Sequence, residues 1–192
     1  MVFDLDKKNA LSKVDKSKKG SIDEPIKKLC ASINYLPNFY TTSSCSGRIV
    51  LLSTSKSGKK NESQWLLASH VEISFDDLKS ALKGSERCDM FFRFEPPILH
   101  IACRSVEDAS AILKLVYNQG FKRSGIISVG RKNIVEMVST ERIDVPLTKE
   151  GKLMVDDDYI AFLVEESNKK LLSSHKKLEK IFAEIKKSFS SM

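Results

Sequence analysis

Met90-Phe-Phe-Arg-Phe-Glu-Pro-Pro-Ile-Leu-His-Ile-Ala-Cys103, followed by Ser105-Val-Glu-Asp108, is the stretch that decides the fold. Residues 90–95 and 98–103 are apolar enough for central strands. Pro96-Pro97 breaks them at a turn, because proline cannot donate to a sheet ladder. Ser105 and Asp108 then stand at the spacing of a reciprocal helix N-cap. Ala109, Ile112, Leu113 and Val116 recur on one face of the helix that follows, and Gly120 is placed to end it in a left-handed cap. Strands and capped helices in this order predict an α+β chain with a mixed or antiparallel sheet and packed helices.

The same signals extend outward in both directions. Upstream, Ser74 and Asp77 form a second capping box before a helix that runs to Leu82, while Ile49-Val-Leu-Leu52 and Gln64-Trp-Leu-Leu-Ala-Ser-His70 read as strands. The segment 53–63 between them holds no apolar residue and is expected as an exposed loop. Ile22, Ile26, Leu29, Cys30 and Ile33 mark a helix capped by Ser21 or Asp23, with Pro25 in its first turn. A shorter helix precedes it, in a segment carrying Lys7, Lys8, Lys13, Lys16, Lys18 and Lys19. Downstream, Ile126-Ile-Ser-Val129 and Ile134-Val-Glu-Met-Val138 form a strand pair. Leu171, His175, Leu178, Phe182, Ile185 and Phe189 then step by four and three along a long C-terminal helix whose seam packs on its own domain or on the N-terminal helices, or else pairs with a second copy. Asp156-Asp-Asp158 at its start complements the helix dipole. The expected organisation is one α+β domain over 1–192, with N-terminal helices over 1–36, a sheet core over 40–145 and the C-terminal helix over 156–189.

Composition narrows the classes. With 192 residues and 41% hydrophobic content, the chain can bury a sizeable core. A formal net charge of +7 favours a polyanionic partner. From Thr41 to Asn61 there is no acidic residue, so the excess is concentrated around Arg48, Lys56, Lys59 and Lys60. Cys30, Cys45, Cys88 and Cys103 contain no C-x-x-C pair, which argues against a zinc ribbon or a redox motif, and no metal site is expected. The N-terminus lacks signal-peptide order and no apolar run is long enough to span a bilayer, so a cytoplasmic protein with reduced thiols is expected.

Three constellations can carry chemistry. Thr41-Thr-Ser-Ser-Cys-Ser-Gly-Arg48 sets hydroxyls beside a glycine and an arginine, a donor set for a carboxylate or another anion, or else a self-capped turn. Cys45 with His70 is also a conceivable thiol–imidazole pair. Alternation puts Leu66, Ala68 and His70 on one strand face, and sets His100 opposite Leu99 and Ile101. Either histidine can be a base near neutral pH or a satisfied structural group, and Glu95 shares that ambiguity. Gly120-Phe-Lys-Arg-Ser-Gly-Ile126 frames two cations, as a phosphate site or a plain helix cap does. No G-x-G-x-x-G follows a first strand, so a Rossmann-type nucleotide site has no support.

Lys18-Lys-Gly-Ser-Ile-Asp23, Tyr40-Thr-Thr-Ser-Ser-Cys-Ser-Gly-Arg48, Trp65-Leu-Leu-Ala-Ser-His70, Phe94-Glu-Pro-Pro-Ile-Leu-His100 and Gly120-Phe-Lys-Arg-Ser-Gly-Ile126 occur in that order, followed by Val145-Pro146-Leu147 and the 159–171 stretch with Asn168. This series resembles the tRNA wybutosine-synthesizing protein 3 family over nearly the whole chain. Lys122-Arg123 departs from it, standing where an acidic residue is expected before the Ser-Gly. The resemblance implies a methyltransferase outside the Rossmann-type fold, with S-adenosyl-L-methionine as donor. The implied acceptor is the N-4 ring nitrogen of a tricyclic wyosine-type base beside the anticodon of phenylalanine tRNA. On this reading Ser44, Cys45, Ser46, Gly47, Arg48 and Glu95 hold the cofactor, and His100 or His70 is the base with Asp23 orienting. Lys56, Lys59, Lys60, Lys122, Arg123 and Ser124 meet the tRNA. The alternative is a non-catalytic basic RNA-binding module.

Overall fold

The computed structural model describes residues 2–12, 20–54, 63–83 and 89–189. In chain order its elements are α1 (Val2–Leu11), α2 (Glu24–Tyr35), β1 (Phe39–Cys45), β2 (Arg48–Thr54), β3 (Gln64–Ser69), α3 (Phe75–Leu82), β4 (Asp89–Glu95), β5 (Ile98–Cys103), α4 (Val106–Asn118), β6 (Gly125–Ser128), β7 (Asn133–Val138), β8 (Ile143–Pro146), β9 (Thr148–Lys149), β10 (Lys152–Leu153) and α5 (Asp157–Phe189). Both capping boxes form: Ser74 with Asp77, and Ser105 with Asp108, each exchange two hydrogen bonds. The chain is an α+β protein with antiparallel sheets, and contacts divide it into two compact units.

Unit 1 comprises Met1–Ser46, Pro97–Thr140 and Ser174–Met192. Its sheet runs β1-β5-β7-β6, every neighbour antiparallel. One face packs on α2, α4 and the second half of α5 through Ile26, Leu29, Leu99, Ile101, Ile112 and Ile181. On the other face, Phe3 of α1 meets Tyr40 edge to face, at 5.2 Å between ring centroids. Unit 2 comprises Gly47–Pro96 and Glu141–Ser173, with a sheet in the order β3-β2-β4-β8. Ile49, Leu51, Phe92 and Phe94 point from it into a core shared with α3 and the first half of α5. Pro146 stands on β8, at the sheet edge where a missing amide proton is tolerated.

Four details differ from the sequence reading. β4 and β5 do not pair: β4 joins β2 and β8, whereas β5 joins β1 and β7. The residues 40–145, read as one sheet core, therefore carry two main sheets. The hydroxyl-rich segment 39–45 is a strand rather than a turn, because β5 supplies the ladder that its side chains could otherwise only imitate. In the β2–β3 pair, a bulge at Leu51/Leu52 sets Trp65 opposite Leu52 and Ala68 opposite Val50. Trp65 and Ala68 thus share one face, while Leu66 and Leu67 both reach the core, so the simple alternation through Leu66, Ala68 and His70 fails. Ile22 lies outside α2 and is 37% exposed.

Candidate active site

In unit 1 the site grows from the pairing of β1 with β5. A bulge between Thr41 and Ser43 brings Ser43 opposite His100, and Cys45 opposite Ile98. Leu99 and Ile101 are fully buried on the helix-covered face, so His100 stands on the other one. There Ser43 Oγ lies 3.0 Å from His100 Nδ1, and His100 Nε2 lies 2.9 Å from Glu136 Oε2 on β7. Both His100 and Glu136 are about one-third exposed, at 28% and 31%. A carboxylate only accepts, so Nε2–H donates to Glu136. In the neutral ring this leaves the lone pair on Nδ1, where the Ser43 hydroxyl donates to it.

The strand's other residues do different work. Ser44 hydrogen-bonds the sulfur of Cys30, whose thiol is nevertheless pushed up to about 11 by burial. Asp23 stands at the N-cap position of α2, yet its side chain makes no cap bond. Its carboxylate instead accepts the Ser46 amide at 3.0 Å in a buried setting, while its carbonyl accepts the Ile26 and Lys27 amides. Ser46 is fully buried, and its Oγ has no hydrogen-bond partner among the described residues. Buried hydroxyls are rarely left so.

In unit 2, Gly47 has φ 91°, a conformation that a residue with a Cβ rarely adopts. Its carbonyl receives His70 Nδ1 at 2.8 Å. A carbonyl cannot donate, so Nδ1 is the protonated nitrogen of His70, the reverse of the neutral His100 tautomer. Arg48 donates from Nε to Glu95 at 2.6 Å, its cross-strand partner in the β2–β4 register. Its guanidinium also lies 4.1 Å from the centre of the Trp65 ring. Glu95 thus directly orients Arg48.

The remaining expected residues are separate. Lys122 and Arg123 are exposed after α4, with Lys122 Nζ 3.9 Å above the Tyr117 ring. Ser124 is spent on the backbone of Val138: its hydroxyl accepts that amide at 3.1 Å. Lys56, Lys59 and Lys60 lie outside the described residues. Ser43 belongs to the hydroxyl-rich constellation read from sequence, but its pairing with His100 and the presence of Glu136 were not legible there. Glu136 reads as an ordinary outward position in Ile134-Val-Glu-Met-Val138, and only the register of three strands sets it beside His100.

Comparison with known proteins now adds to this geometry. Residues 5–187 match the family model described as Methyltransferase TYW3. The chain is 38% identical over 187 residues to the tRNA(Phe) 7-((3-amino-3-carboxypropyl)-4-demethylwyosine(37)-N(4))-methyltransferase of Thermococcus sibiricus, covering 96% of this chain and 95% of that protein. It is 39% identical over 181 residues to the tRNA wybutosine-synthesizing protein 3 homolog of Bos taurus, covering 92% and 69%. The solved structure of the PH1069 protein from Pyrococcus horikoshii superposes with a TM-score of 0.88 at 36% identity, covering 95% of each chain. With a family match spanning nearly its whole length, the chain belongs to the TYW3 methyltransferase family.

Proposed function

We propose that this protein transfers a methyl group from S-adenosyl-L-methionine to the N-4 ring nitrogen of a tricyclic wyosine-type base beside the anticodon of phenylalanine tRNA. The activity and the tRNA follow the names of its archaeal relatives. The observation that carries the chemistry is the line Ser43–His100–Glu136. The acceptor nitrogen must lose a proton as it gains a methyl group; Ser43 Oγ would accept that proton as it passes its own to the Nδ1 lone pair of His100. Glu136 holds Nε2–H throughout and stabilises the imidazolium that results. A well-placed base of this kind contributes about 10²–10⁴ in rate.

The segment from Ser44 to Arg48 fits the donor. The unpartnered, buried Ser46 hydroxyl is a donor awaiting an acceptor, as the carboxylate of a methionine moiety would be. In unit 2, Arg48 would offer a carboxylate its terminal nitrogens, since Nε is given to Glu95. Cys45 lies within the same segment. Asp23 and His70 keep the segment in shape by fixing the Ser46 amide and the Gly47 carbonyl. When bound, S-adenosyl-L-methionine supplies a methyl group on a positively charged sulfur. Lys122 and Arg123, exposed on unit 1, meet tRNA phosphates.

The test is mass spectrometry of hypomodified phenylalanine tRNA incubated with protein and donor. The expected result is a gain of one methyl group, in place of hydrogen, on the tricyclic nucleoside. An unchanged nucleoside overturns the reading. For the donor segment, Arg48→Ala is expected to weaken donor binding by calorimetry, and unchanged affinity removes Arg48 from the site.

A further inference from the structure

We infer that the open face of the unit 2 sheet is a stacking surface for unpaired nucleobases of the RNA substrate, with Trp65 as its anchor. This rests on the tRNA reading above and names the surface that takes the bases around the target. Ile49, Leu51, Phe92 and Phe94 occupy the helix-covered face. Period-two alternation therefore turns Arg48, Val50, Leu52, Asp89, Phe91 and Arg93 to the other, where Val50 is buried and its neighbours are half-buried or exposed, and register adds Trp65 from β3 and Asp144 from β8.

The residue types on that face form two stacks of the same kind. The Arg48 guanidinium lies 4.1 Å from the Trp65 ring centre, and the Arg93 guanidinium lies 5.6 Å from that of Phe91. Each arginine is anchored through Nε by a carboxylate, Glu95 at 2.6 Å and Asp144 at 2.9 Å. The planar groups are thereby held in place before any ligand arrives, which lowers the entropic cost of stacking on them. Trp65 remains 49% exposed, a large apolar area to leave in water. A nucleobase matches this surface because every base has a π-face that stacks on aromatic rings and guanidinium planes. Arg142, joined to Asp144 at 2.9 Å, adds a third arginine; with Glu95, Asp144 and Asp89 on the same face the charges balance, so this surface offers stacking rather than net charge. A protein partner would want a larger apolar patch than one indole and one half-buried phenyl ring.

The chain has one tryptophan, so its intrinsic fluorescence reports Trp65 alone. The probe is the anticodon stem-loop of phenylalanine tRNA, titrated beside a fully paired duplex of equal length and S-adenosylhomocysteine alone. The expected result is saturable quenching by the stem-loop, beyond any change that saturating S-adenosylhomocysteine makes, and little by the duplex. By anisotropy of labelled stem-loop, Trp65→Ala is expected to weaken binding about 5- to 100-fold, and Trp65→Phe to restore most of it. Stem-loop binding that leaves the fluorescence at its value with saturating S-adenosylhomocysteine, or unchanged stem-loop affinity of Trp65→Ala, each overturns the proposal. Quenching that persists where methyl transfer is absent would sink the catalytic reading and leave the surface standing.

Discussion

At the scale of single residues, hydrogen-bond partners separate two histidines that composition leaves equivalent. Glu136 takes the proton of His100 Nε2, and the Gly47 carbonyl takes that of His70 Nδ1. Long-range nitrogen–proton NMR at alkaline pH should therefore show opposite neutral tautomers for the two rings; one tautomer in both would contradict the assignment of the base. His100→Ala should lower the single-turnover rate by about 10²–10⁴, with donor affinity preserved. The thiols add a pH dependence. Burial pushes Cys30 up to about 11 and Cys103 to about 12 from an ordinary 9.0, and Cys103 donates to the Ile101 carbonyl. The fold favours the neutral thiols, so their contribution is full below pH 9 and declines as pH rises through 11 to 12. Urea denaturation between pH 8 and the onset of base damage should show that decline, and Cys103→Ala should flatten it. What single residues do was only partly legible in sequence. Asp23 was recognisable as a helix-start residue, but its use on the Ser46 amide depends on a strand that begins sixteen positions later.

At the scale of elements, sequence periodicity succeeded where one face is apolar and failed where pairing supplies the order. The capped helices α3 and α4 and the seam of α5 declare themselves through local chemistry. β1 does not, because Tyr40-Thr-Thr-Ser-Ser presents no alternation until β5 lies beside it. α1 is a different case, a helix without a buried residue. Arg104 and Lys132 hold it by ion pairs with Asp4 and Asp6, Lys7 donates to the Leu36 carbonyl, and Arg104 lies 4.5 Å from the Phe3 ring. The hydrogen bond from Arg104 holds the Asp4 carboxyl at about 2, below its ordinary 3.8. Because the folded value is depressed, the attachment is complete above pH 3.8 and is lost as pH falls toward 2. Amide exchange should show α1 losing protection over that window ahead of α4, and Arg104→Ala should release it at neutral pH. Protection of α1 unchanged in Arg104→Ala would mean that Lys132, Lys7 and the Phe3–Tyr40 contact hold it without Arg104.

At the scale of the whole molecule, the charge of +7 bears on RNA association rather than on the fold. The family strings could be read along nearly the entire chain, whereas the division into two sheets could not, since Pro96-Pro97 looks the same inside a hairpin and between sheets. The salt dependence of tRNA binding is where the charge becomes measurable. Each lysine or arginine that neutralises a phosphate releases condensed counterion, and the logarithm of the association constant falls with the logarithm of salt by about 0.7–0.9 per contact. Arg123 and Lys122 are both exposed, the Lys122 ammonium 3.9 Å from the Tyr117 ring centre, and on the proposed reading they meet phosphate rather than base edges. Replacing both with alanine should reduce the magnitude of the slope by about 1.4–1.8 and weaken binding to any tRNA alike. Trp65→Ala, by contrast, should lower affinity for unpaired loops while leaving the slope in place, because a stacked base releases no counterion. Measured together, the two variants separate the charge of the molecule from its stacking surface, and a slope unmoved by the double replacement would remove Lys122 and Arg123 from the RNA interface.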